Sequence, residues 1–293
     1  MSQVSTNNLA TGGPLHSALD QSAQSAEPVD KPTLYAETVG HVGGFPVTNA
    51  WLSSGLAVLI VCVIALAIRK KVTLVPKKLQ TMFEIVIEQF LNIADGITNS
   101  RSKSLQFAPL ILSLFFFILI NNWLGMLPGV NSIGQVILQN GQKVFVPYLR
   151  GGTADLNTTL ALATMAVVVS HICGVVAVGW WKYLNKFVNI KAFLDIPKKI
   201  VKDPTVVLVN PIHAFVGIIE IVGELAKIAS LSFRLFGNVF AGEVLLAAMS
   251  AILAFALPVP FMFLEIVVGL IQALIFAILV LIYLSISTTA EEH

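Results

Sequence analysis

Long runs without charged residues dominate the chain and predict membrane-crossing helices. The runs are Ala50–Ile68, Leu105–Gln142, Leu156–Trp181, Val244–Leu264 and Ile266–Ala290. A helix needs about 20 apolar residues to cross a bilayer. The stretch "LPGVNSIG" near Pro128 interrupts the second run, so its span is predicted as roughly Leu105–Leu127. The region Val206–Leu257 is also helical in pattern although it carries charges, and we therefore predict about five crossings, the last two of them long.

The segment between the first two spans has a different period. It reads "KLQTMFEIVIEQFLNIADGITNS", and its polar residues recur every three or four positions: Gln80, Glu84, Glu88, Asn92, Asp95 and Asn99. This spacing predicts an amphipathic helix. Such a helix either lies at the cytoplasmic membrane surface or packs its apolar face on a neighbouring helix while water solvates its polar face.

The first 45 residues are polar and rich in Ser, Gly and Pro. They predict an extracytoplasmic surface arm, and they lack the basic segment and apolar run of a signal peptide. Residues 46–293 then form the membrane domain, in which 205–290 carry the charged helices.

Composition supports the same fold class. The chain of 293 residues is 56% hydrophobic and 12% charged, whereas about 25% of the residues of a soluble domain are charged. We predict an all-α polytopic membrane protein, with about five membrane-crossing helices and one amphipathic surface helix. The sequence shows no nucleotide-binding glycine loop, metal-ligand cluster or nucleophile motif. We therefore expect membrane lipid as its surroundings and no cofactor, bound metal or nucleic-acid partner.

The distribution of Lys and Arg predicts the orientation. One loop, 69–103, holds Arg69, Lys70, Lys71, Lys77, Lys78, Arg101 and Lys103. A second, 182–204, holds Lys182, Lys186, Lys191, Lys198, Lys199 and Lys202. The other side has only Lys31, Lys143 and Arg150. The N-terminus is therefore predicted outside, and both basic loops and the C-terminal "TTAEEH" inside, which agrees with five crossings.

A stripe of polar residues follows one face of the penultimate helix. At about 100° per residue, its members fall within about 80° of each other: Glu220, Glu224, Lys227, Arg234 and Asn238. Ionisable residues inside a membrane are rare and commonly mark ion pathways. Arg234 lies too deep to reach the surface easily, and its guanidinium stays charged. For Lys227 a surface-reaching side chain is an equal alternative, and interfacial positions stay open for Glu220 and Glu224.

Two more acids flank the end of that helix. Glu243 lies nine residues beyond Arg234, so it points to the opposite side, about 13 Å along the axis. Glu265 and Gln272 share a face of the last helix because they are seven residues apart. A turn at Pro258–Pro260 is predicted to make the two helices antiparallel, with both acids at similar distances from it. His171 and His213 are interpreted as packing histidines.

Four motifs stand out in the membrane domain: "RLFGNVFAGE", "IQALIFAILVLIYLSI", "NNWLGMLPG" and "TADLNTTLALA". They resemble subunit a of the F-type ATP synthase, the stator half of its proton-translocating membrane sector, and the resemblance covers the chain from about residue 45 to its end. It implies a bacterial inner (plasma) membrane protein with two strongly tilted C-terminal helices. It also implies a ring of c subunits and the b subunits of the peripheral stalk as partners, with ATP chemistry on other subunits.

The resemblance also implies roles for individual residues. Arg234 matches the arginine that faces the ring, and Asn238 the asparagine one turn later. The other matched positions are Glu243 and Glu265 in an outer half-channel, Gln272 deeper on the last helix, and Glu220, with Glu224 nearby, in an inner half-channel. Two departures stand out: Gly125 where some relatives have an acid, and Glu265 where some have histidine. Two close carboxyl groups are expected to share a proton and to titrate as a pair.

Two other functions, a secondary transporter and a structural subunit, are alternatives to an ATP synthase subunit. A proton-coupled secondary transporter is expected to show internal repeats with interrupted helices in corresponding positions. The sequence shows no such repeat, and its intramembrane charges crowd into the C-terminal third. A purely structural membrane subunit leaves Arg234 unexplained.

Overall fold

The computed structural model describes residues 33–69, 78–127, 129–139, 142–187, 206–253 and 256–289. Several predictions concern residues outside these ranges: most of the N-terminal arm, much of both basic loops and the end of the C-terminal tail. The side chain of His213 also lies outside the described part, so its packing role stays a prediction.

Seven α-helices occur in the described ranges: α1 Asn49–Arg69, α2 Lys78–Thr98, α3 Arg101–Leu124, α4 Leu156–Val178, α5 Trp180–Phe187, α6 Val206–Ile252 and α7 Pro258–Thr288. Five segments are long and apolar enough to cross a membrane, namely α1, α3, α4, residues Ile219–Ile252 of α6, and α7. The prediction of an all-α polytopic membrane protein with five crossings is confirmed. So is the greater length of the last two helices.

Two small antiparallel hairpins were not predicted. Strand β1 (Thr38–Val42) pairs with β2 (Phe45–Thr48), and β3 (Gly134–Gln139) pairs with β4 (Gln142–Pro147). The first hairpin turns at Gly43 and Gly44, whose φ angles of 58° and 85° suit a two-residue hairpin loop. The alternation of strands is hard to see here because the first hairpin begins in the polar arm and β3 lies in a run without charges.

The centre of the molecule is a packed group of helices. Helices α3 and α7 pack on each other, and α4 packs on both α6 and α7. Lipid tails are as apolar as leucine, so helices in a bilayer are held by close packing rather than by exclusion of water. Small buried residues provide that close packing here, with Ala163 and Ala166 on α4 and Ala273 and Ala277 on α7.

Helix α2 packs its apolar face along α3. The rings of Phe90 and Phe115 lie 4.8 Å apart, and those of Phe83 and Phe116 lie 5.7 Å apart. The polar face, with Glu84 among its residues, is exposed. The alternative of an amphipathic helix packed on a neighbour therefore describes α2, and its location at the cytoplasmic membrane surface stays a prediction.

The two C-terminal helices are longer than a bilayer requires. Helix α6 has 47 residues and α7 has 31, which corresponds to about 70 Å and about 46 Å against a hydrocarbon core of about 30 Å. These lengths favour the predicted tilt. The predicted turn is corrected: α6 ends at Ile252, and Pro258 and Pro260 lie in the first turn of α7. Proline fits there because the first backbone N–H groups of a helix have no internal acceptor.

Candidate functional site

Arg234 lies on the outer surface of the helical body. Its side chain is exposed, and its one hydrogen bond within the described part of the chain is a long one, 3.4 Å, from Nη2 to Oγ of Ser230 one turn earlier. No acidic side chain in the described ranges lies within salt-bridge distance of the guanidinium. Its neighbours on that face, Ser230, Gly237 and Ala241, are small and exposed. A fixed positive charge is therefore presented on a face of small side chains, which another helix can approach closely.

The opposite face of α6 is anchored in the core and holds Arg234 in this orientation. Leu231, Leu235 and Val239 are buried, with spacings of four residues that place them on one side of the helix. The hydroxyls of Ser232 and Thr159 lie 3.2 Å apart and join α6 to α4. The position of the guanidinium therefore follows from packing of the other side of its helix.

The predicted polar stripe lies on one continuous helix and extends to other elements. Glu220, Glu224 and Lys227 are half-buried. The Lys227 ammonium is 2.7 Å from Glu224 Oε1 and 5.2 Å from the centre of the Tyr283 ring on α7. The Lys227 ammonium thus contacts side chains of both α6 and α7, so its side chain does not merely extend toward the membrane surface. Nε2 of His171 on α4 lies 3.4 Å from Glu224 Oε2, so this histidine joins the stripe.

The two predicted amides of the C-terminal helices are available for contacts outside the chain. Asn238 on α6 and Gln272 on α7 are both half-buried. Neither side chain hydrogen-bonds to another residue in the described ranges. The resemblance implied that both lie near the ring, and this role stays a prediction.

Glu243 forms a close ion pair with Arg150, which follows the second hairpin. Arg150 Nη2 lies 2.6 Å from Oε2, and Nε lies 3.0 Å from the same oxygen. The two side chains are 9% and 18% exposed. Arg150 also donates from Nη2 to the backbone oxygen of Thr33 at 2.7 Å, and its backbone N–H donates to Ser53 Oγ at 3.0 Å. A short two-point contact of this kind orients a carboxylate strongly.

Glu265 is buried between α6 and α7. It is 7% exposed, and its Oε1 has no hydrogen-bond partner among the described residues. Its carboxyl group occupies the space over the α-carbon of Gly242, where an added methyl group would overlap it. Because Gly242 has no side chain, α6 and α7 can bring the Glu265 carboxyl group against Gly242, which immediately precedes Glu243. The predicted antiparallel arrangement of α6 and α7 is confirmed. An ionised carboxylate with an unpartnered oxygen is costly in this buried position.

One cavity of about 490 Å³ connects the two acids. Its lining includes Glu243, Glu265, Arg150 and Asn122, together with Glu37 from the segment before the first hairpin. Each water in the liquid takes up about 30 Å³, so the cavity has room for a short chain of waters. The structure therefore brings Glu243 and Glu265 to one chamber, as their positions on antiparallel helices had suggested.

Three residues in or beside this chamber were not singled out by the sequence. Arg150 had counted only as one of the few cations on the outer side, with Lys31 and Lys143. Asn122 donates to the backbone oxygen of Gly269 at 2.9 Å and accepts from Thr153 Oγ1 at 2.6 Å. Gly242 carries no chemical signal, because its importance lies in the space it leaves to Glu265.

The structure also explains the glycine at position 125. A Cβ there would lie 2.9 Å from the backbone nitrogen and α-carbon of Gly151. The segment after Arg150 thus fills the space that an acidic side chain at position 125 would need. This chain has an arginine bound to Glu243 beside the chamber and no acid at 125.

Gly242→Ala is expected to destabilise the protein by about 1–3 kcal/mol, because the methyl group overpacks the contact with Glu265. Gly96→Ala is the control: Gly96 lies in a helix with nothing within 4 Å of an added Cβ, so alanine there is expected to stabilise by about 0.5–1 kcal/mol. Thermal unfolding of the purified protein in detergent measures both changes. Equal midpoints for Gly242→Ala and wild type would contradict the close packing of the acid on Gly242.

Comparison with known proteins agrees with this geometry. The family model described as ATP synthase A chain matches residues 51–285. The chain is 36% identical to ATP synthase subunit a of Syntrophobacter fumaroxidans over 225 residues, 76% of each chain. It is 33% identical to subunit a of Mycobacterium ulcerans over 84% of this chain and 88% of the relative. Identity to subunit a of Campylobacter jejuni is 30%, over 81% and 89%.

These matches extend over nearly all the described helices and include Arg234, both chamber acids and the polar stripe. Their extent favours one family over a secondary transporter. The chain is a multi-pass membrane protein, and it works within the membrane sector of a larger complex. It belongs to the family of subunit a of the F-type ATP synthase.

Proposed function

We propose that this chain is the stator subunit that forms two proton half-channels against a rotating ring of c subunits. Through them it couples proton translocation to ATP synthesis, while the chemistry on ATP belongs to other subunits. The observation that carries the proposal is the placement of Arg234. It is exposed on a face of small side chains, between the outer chamber and the inner polar stripe.

The outer half-channel is the chamber of Glu243 and Glu265. Protons enter it from outside and neutralise a carboxylate of the ring. Arg150 compensates the charge of Glu243 at 2.6 Å, whereas Glu265 has one carboxyl oxygen without a partner in the described part of the chain. The two acids therefore differ in environment, and Glu265 is the one suited to take up and release a proton.

Arg234 separates the two half-channels. Each ring carboxyl group must be neutral where it faces lipid, and beside a guanidinium its ionised form is stabilised. Arginine does not release its own proton under these conditions. It therefore acts as a fixed electrostatic gate and blocks a direct proton path from the outer to the inner side.

The inner half-channel follows the stripe of α6 from Arg234 to Glu224 and Glu220. The ring carboxyl meets it after nearly a full rotation and releases its proton there. Asn238 and Gln272 provide polar contacts near the gate, which agrees with their half-buried side chains.

The proposed orientation places the N-terminus outside and the C-terminus inside a bacterial inner membrane. Arg69 at the end of α1 and Arg101 at the start of α3 lie at the same end of two adjacent spans, which supports a basic cytoplasmic side. Residues 1–45 form the proposed outer arm and 46–293 the membrane domain. Ala36 N–H donates to Asp155 at 3.2 Å, so the end of the arm is held on the domain. The b subunits of the peripheral stalk are the proposed stator partners.

Disulfide formation with the ring tests the proposal. A complex free of Cys62 and Cys173 receives one cysteine beside the ring carboxyl and one in this chain, Gly237→Cys on the Arg234 face. Oxidation is expected to link the two subunits, because Gly237 is exposed and nothing lies within 4 Å of an added Cβ. The control is Val176→Cys on α4, which is 81% exposed but lies on another helix. Links from neither position, or equally from both, would contradict the proposed ring face.

A further inference from the structure

A second cluster of polar side chains joins four helices near the ends of α4 and α7. It contains His171 of α4, Tyr183 of α5, Glu224 and Lys227 of α6, and Ser287 of α7. The mechanism above uses Glu224 alone among them. The exposed tryptophans at the start of α5 (Trp180 and Trp181) place the cluster at a membrane–water interface.

The cluster is a connected series of hydrogen-bonding groups. Tyr183 Oη lies 2.5 Å from His171 Nδ1, and His171 Nε2 lies 3.4 Å from Glu224 Oε2. Lys227 donates to the other oxygen of Glu224 at 2.7 Å. Both nitrogens of the imidazole therefore have an oxygen partner, one on the stripe of α6 and one on the interfacial helix α5.

Gly174 makes room for this arrangement. One turn after His171 on α4, an added Cβ at position 174 would lie 2.5 Å from Tyr183 Cε2 and 2.8 Å from the backbone oxygen of Ser287. Only a residue without a side chain lets the tyrosine ring and the end of α7 come this close to α4. The packing of three helices thus brings the phenol to the imidazole.

Tyr183 stays a neutral phenol in this environment. Burial raises the pKa of its hydroxyl, and the negative charges of Glu224 and Glu220 raise it further, whereas a hydrogen bond from Ser287 opposes them. A phenol can donate to a bare imidazole nitrogen or accept from a protonated one. The same contact therefore persists when the histidine gains or loses a proton.

Two members of the series are partly open to solvent: the His171 and Glu224 side chains are 27% and 20% exposed. Tyr183 keeps 7% exposure, beside the interfacial Trp180 and Trp181. Glu224 lies ten residues before Arg234 on the same face of α6, about 15 Å along the axis. The charged and titratable groups around the histidine are Glu224, Lys227 and Glu220 on α6, Tyr183 on α5, and Tyr283 of α7 beneath Lys227.

We propose that His171 is a proton-relay residue at the cytoplasmic end of the inner half-channel, an inference that rests on the proposed function. The O–H bond of a protonated Glu224 breaks and an N–H bond forms at Nε2, which leaves a carboxylate paired with an imidazolium. The N–H bond at Nδ1 then breaks as its proton binds the Tyr183 oxygen, while the O–H bond that Tyr183 already had breaks and that proton goes to cytoplasmic water. Rotation of the imidazole restores the starting form. In the hydrolysis direction the steps reverse.

The test uses the whole complex in inverted vesicles, whose outer face is the cytoplasmic one. In His171→Ala the ATP-driven proton flux is expected to fall about tenfold, which is less than the about 10²–10⁴-fold contributed by a positioned proton-transfer side chain, since water still carries some protons. Imidazole added to the medium is expected to restore part of the flux as its concentration rises. The control is His41→Ala, because His41 is exposed on β1 and lies on the opposite side; its flux is expected to match wild type.

The outcomes separate a relay from a structural contact. A wild-type flux in His171→Ala, or a lowered flux that imidazole does not change, would overturn the relay. If His171→Ala does not assemble, His171→Gln retains hydrogen-bonding groups but does not titrate, and its flux is expected to fall similarly. Failure of both variants to assemble would assign His171 a structural role and also overturn the relay. Normal proton pumping by Arg234→Ala would refute the proposed function itself. Loss of pumping in Arg234→Ala together with a wild-type flux in His171→Ala would refute only the relay.

Discussion

Arg234→Ala is expected to abolish ATP-driven proton pumping and ATP synthesis while the complex still assembles. Assembly survives because the guanidinium is exposed and its one hydrogen bond in the described chain, to Ser230, is 3.4 Å long. Function is lost because the other cation of the stripe, Lys227, lies seven residues away and already pairs with Glu224 at 2.7 Å, so it does not replace the guanidinium beside the ring carboxylate. Each 100 mV of membrane potential supplies about 2.3 kcal/mol per proton. A proton path that runs from the chamber to the stripe without the ring would dissipate this energy.

Fluorescence quenching in inverted vesicles measures pumping, and the bound ATPase activity measures assembly. Arg234→Lys is also expected to lose most of the activity, because a lysine is a point charge that can release its proton when desolvated. The control is Arg101→Ala: Arg101 pairs with Asp95 at 2.7 Å on an exposed surface, where such pairs contribute about 0–1 kcal/mol. Normal coupled pumping in Arg234→Ala vesicles is the result that would refute the gate.

Glu265→Gln is expected to reduce proton flux strongly and to change its dependence on outside pH. The glutamine has nearly the same shape, so it fits the space over Gly242, but it cannot exchange a proton. A proton-transfer group contributes about 10²–10⁴-fold to rate, and Glu265 is buried in the chamber with one carboxyl oxygen unpartnered in the described structure. Glu265→His is expected to retain part of the flux, since an imidazole can also carry a proton.

The measurement is passive and ATP-driven proton flux across a range of outside pH, in wild type and Glu265→Gln. Coinciding profiles would remove Glu265 from the pathway. A role as a helix cap predicts a stability change of about 1 kcal/mol with transport intact. That role does not fit the position, because Glu265 lies seven residues inside α7 and faces α6.

Glu243→Gln is the informative comparison. It is expected to be at least as damaging as Glu265→Gln, for a reason beyond proton exchange. Arg150 is 9% exposed and pairs with Glu243 at 2.6 Å. Removing one partner of a buried ion pair costs about 3–5 kcal/mol because the other charge stays buried. The amount of assembled complex must therefore be measured with the flux.

The spans and the polar stripe follow from the sequence because both are local properties. A run of about 20 residues without charge is sufficient for a crossing, and α1, α3 and α4 begin and end near the runs that predicted them. The stripe from Glu220 to Asn238 needs only the helical period. The depth and charge of Arg234 follow from the same information, and so does the family, because its motifs are contiguous.

The contacts that make a site of these residues were decided by tertiary structure. Arg150 meets Glu243 across 93 positions of sequence, and His171 meets Glu224 from a different helix. Neither pairing has a local signal, since each depends on how whole helices pack. The space that Gly242 leaves for Glu265 is also invisible in sequence, because a glycine shows its importance only when a neighbour fills the place of its missing side chain. Periodicity determined which face of α6 carries charge, and long-range packing determined what each charge meets.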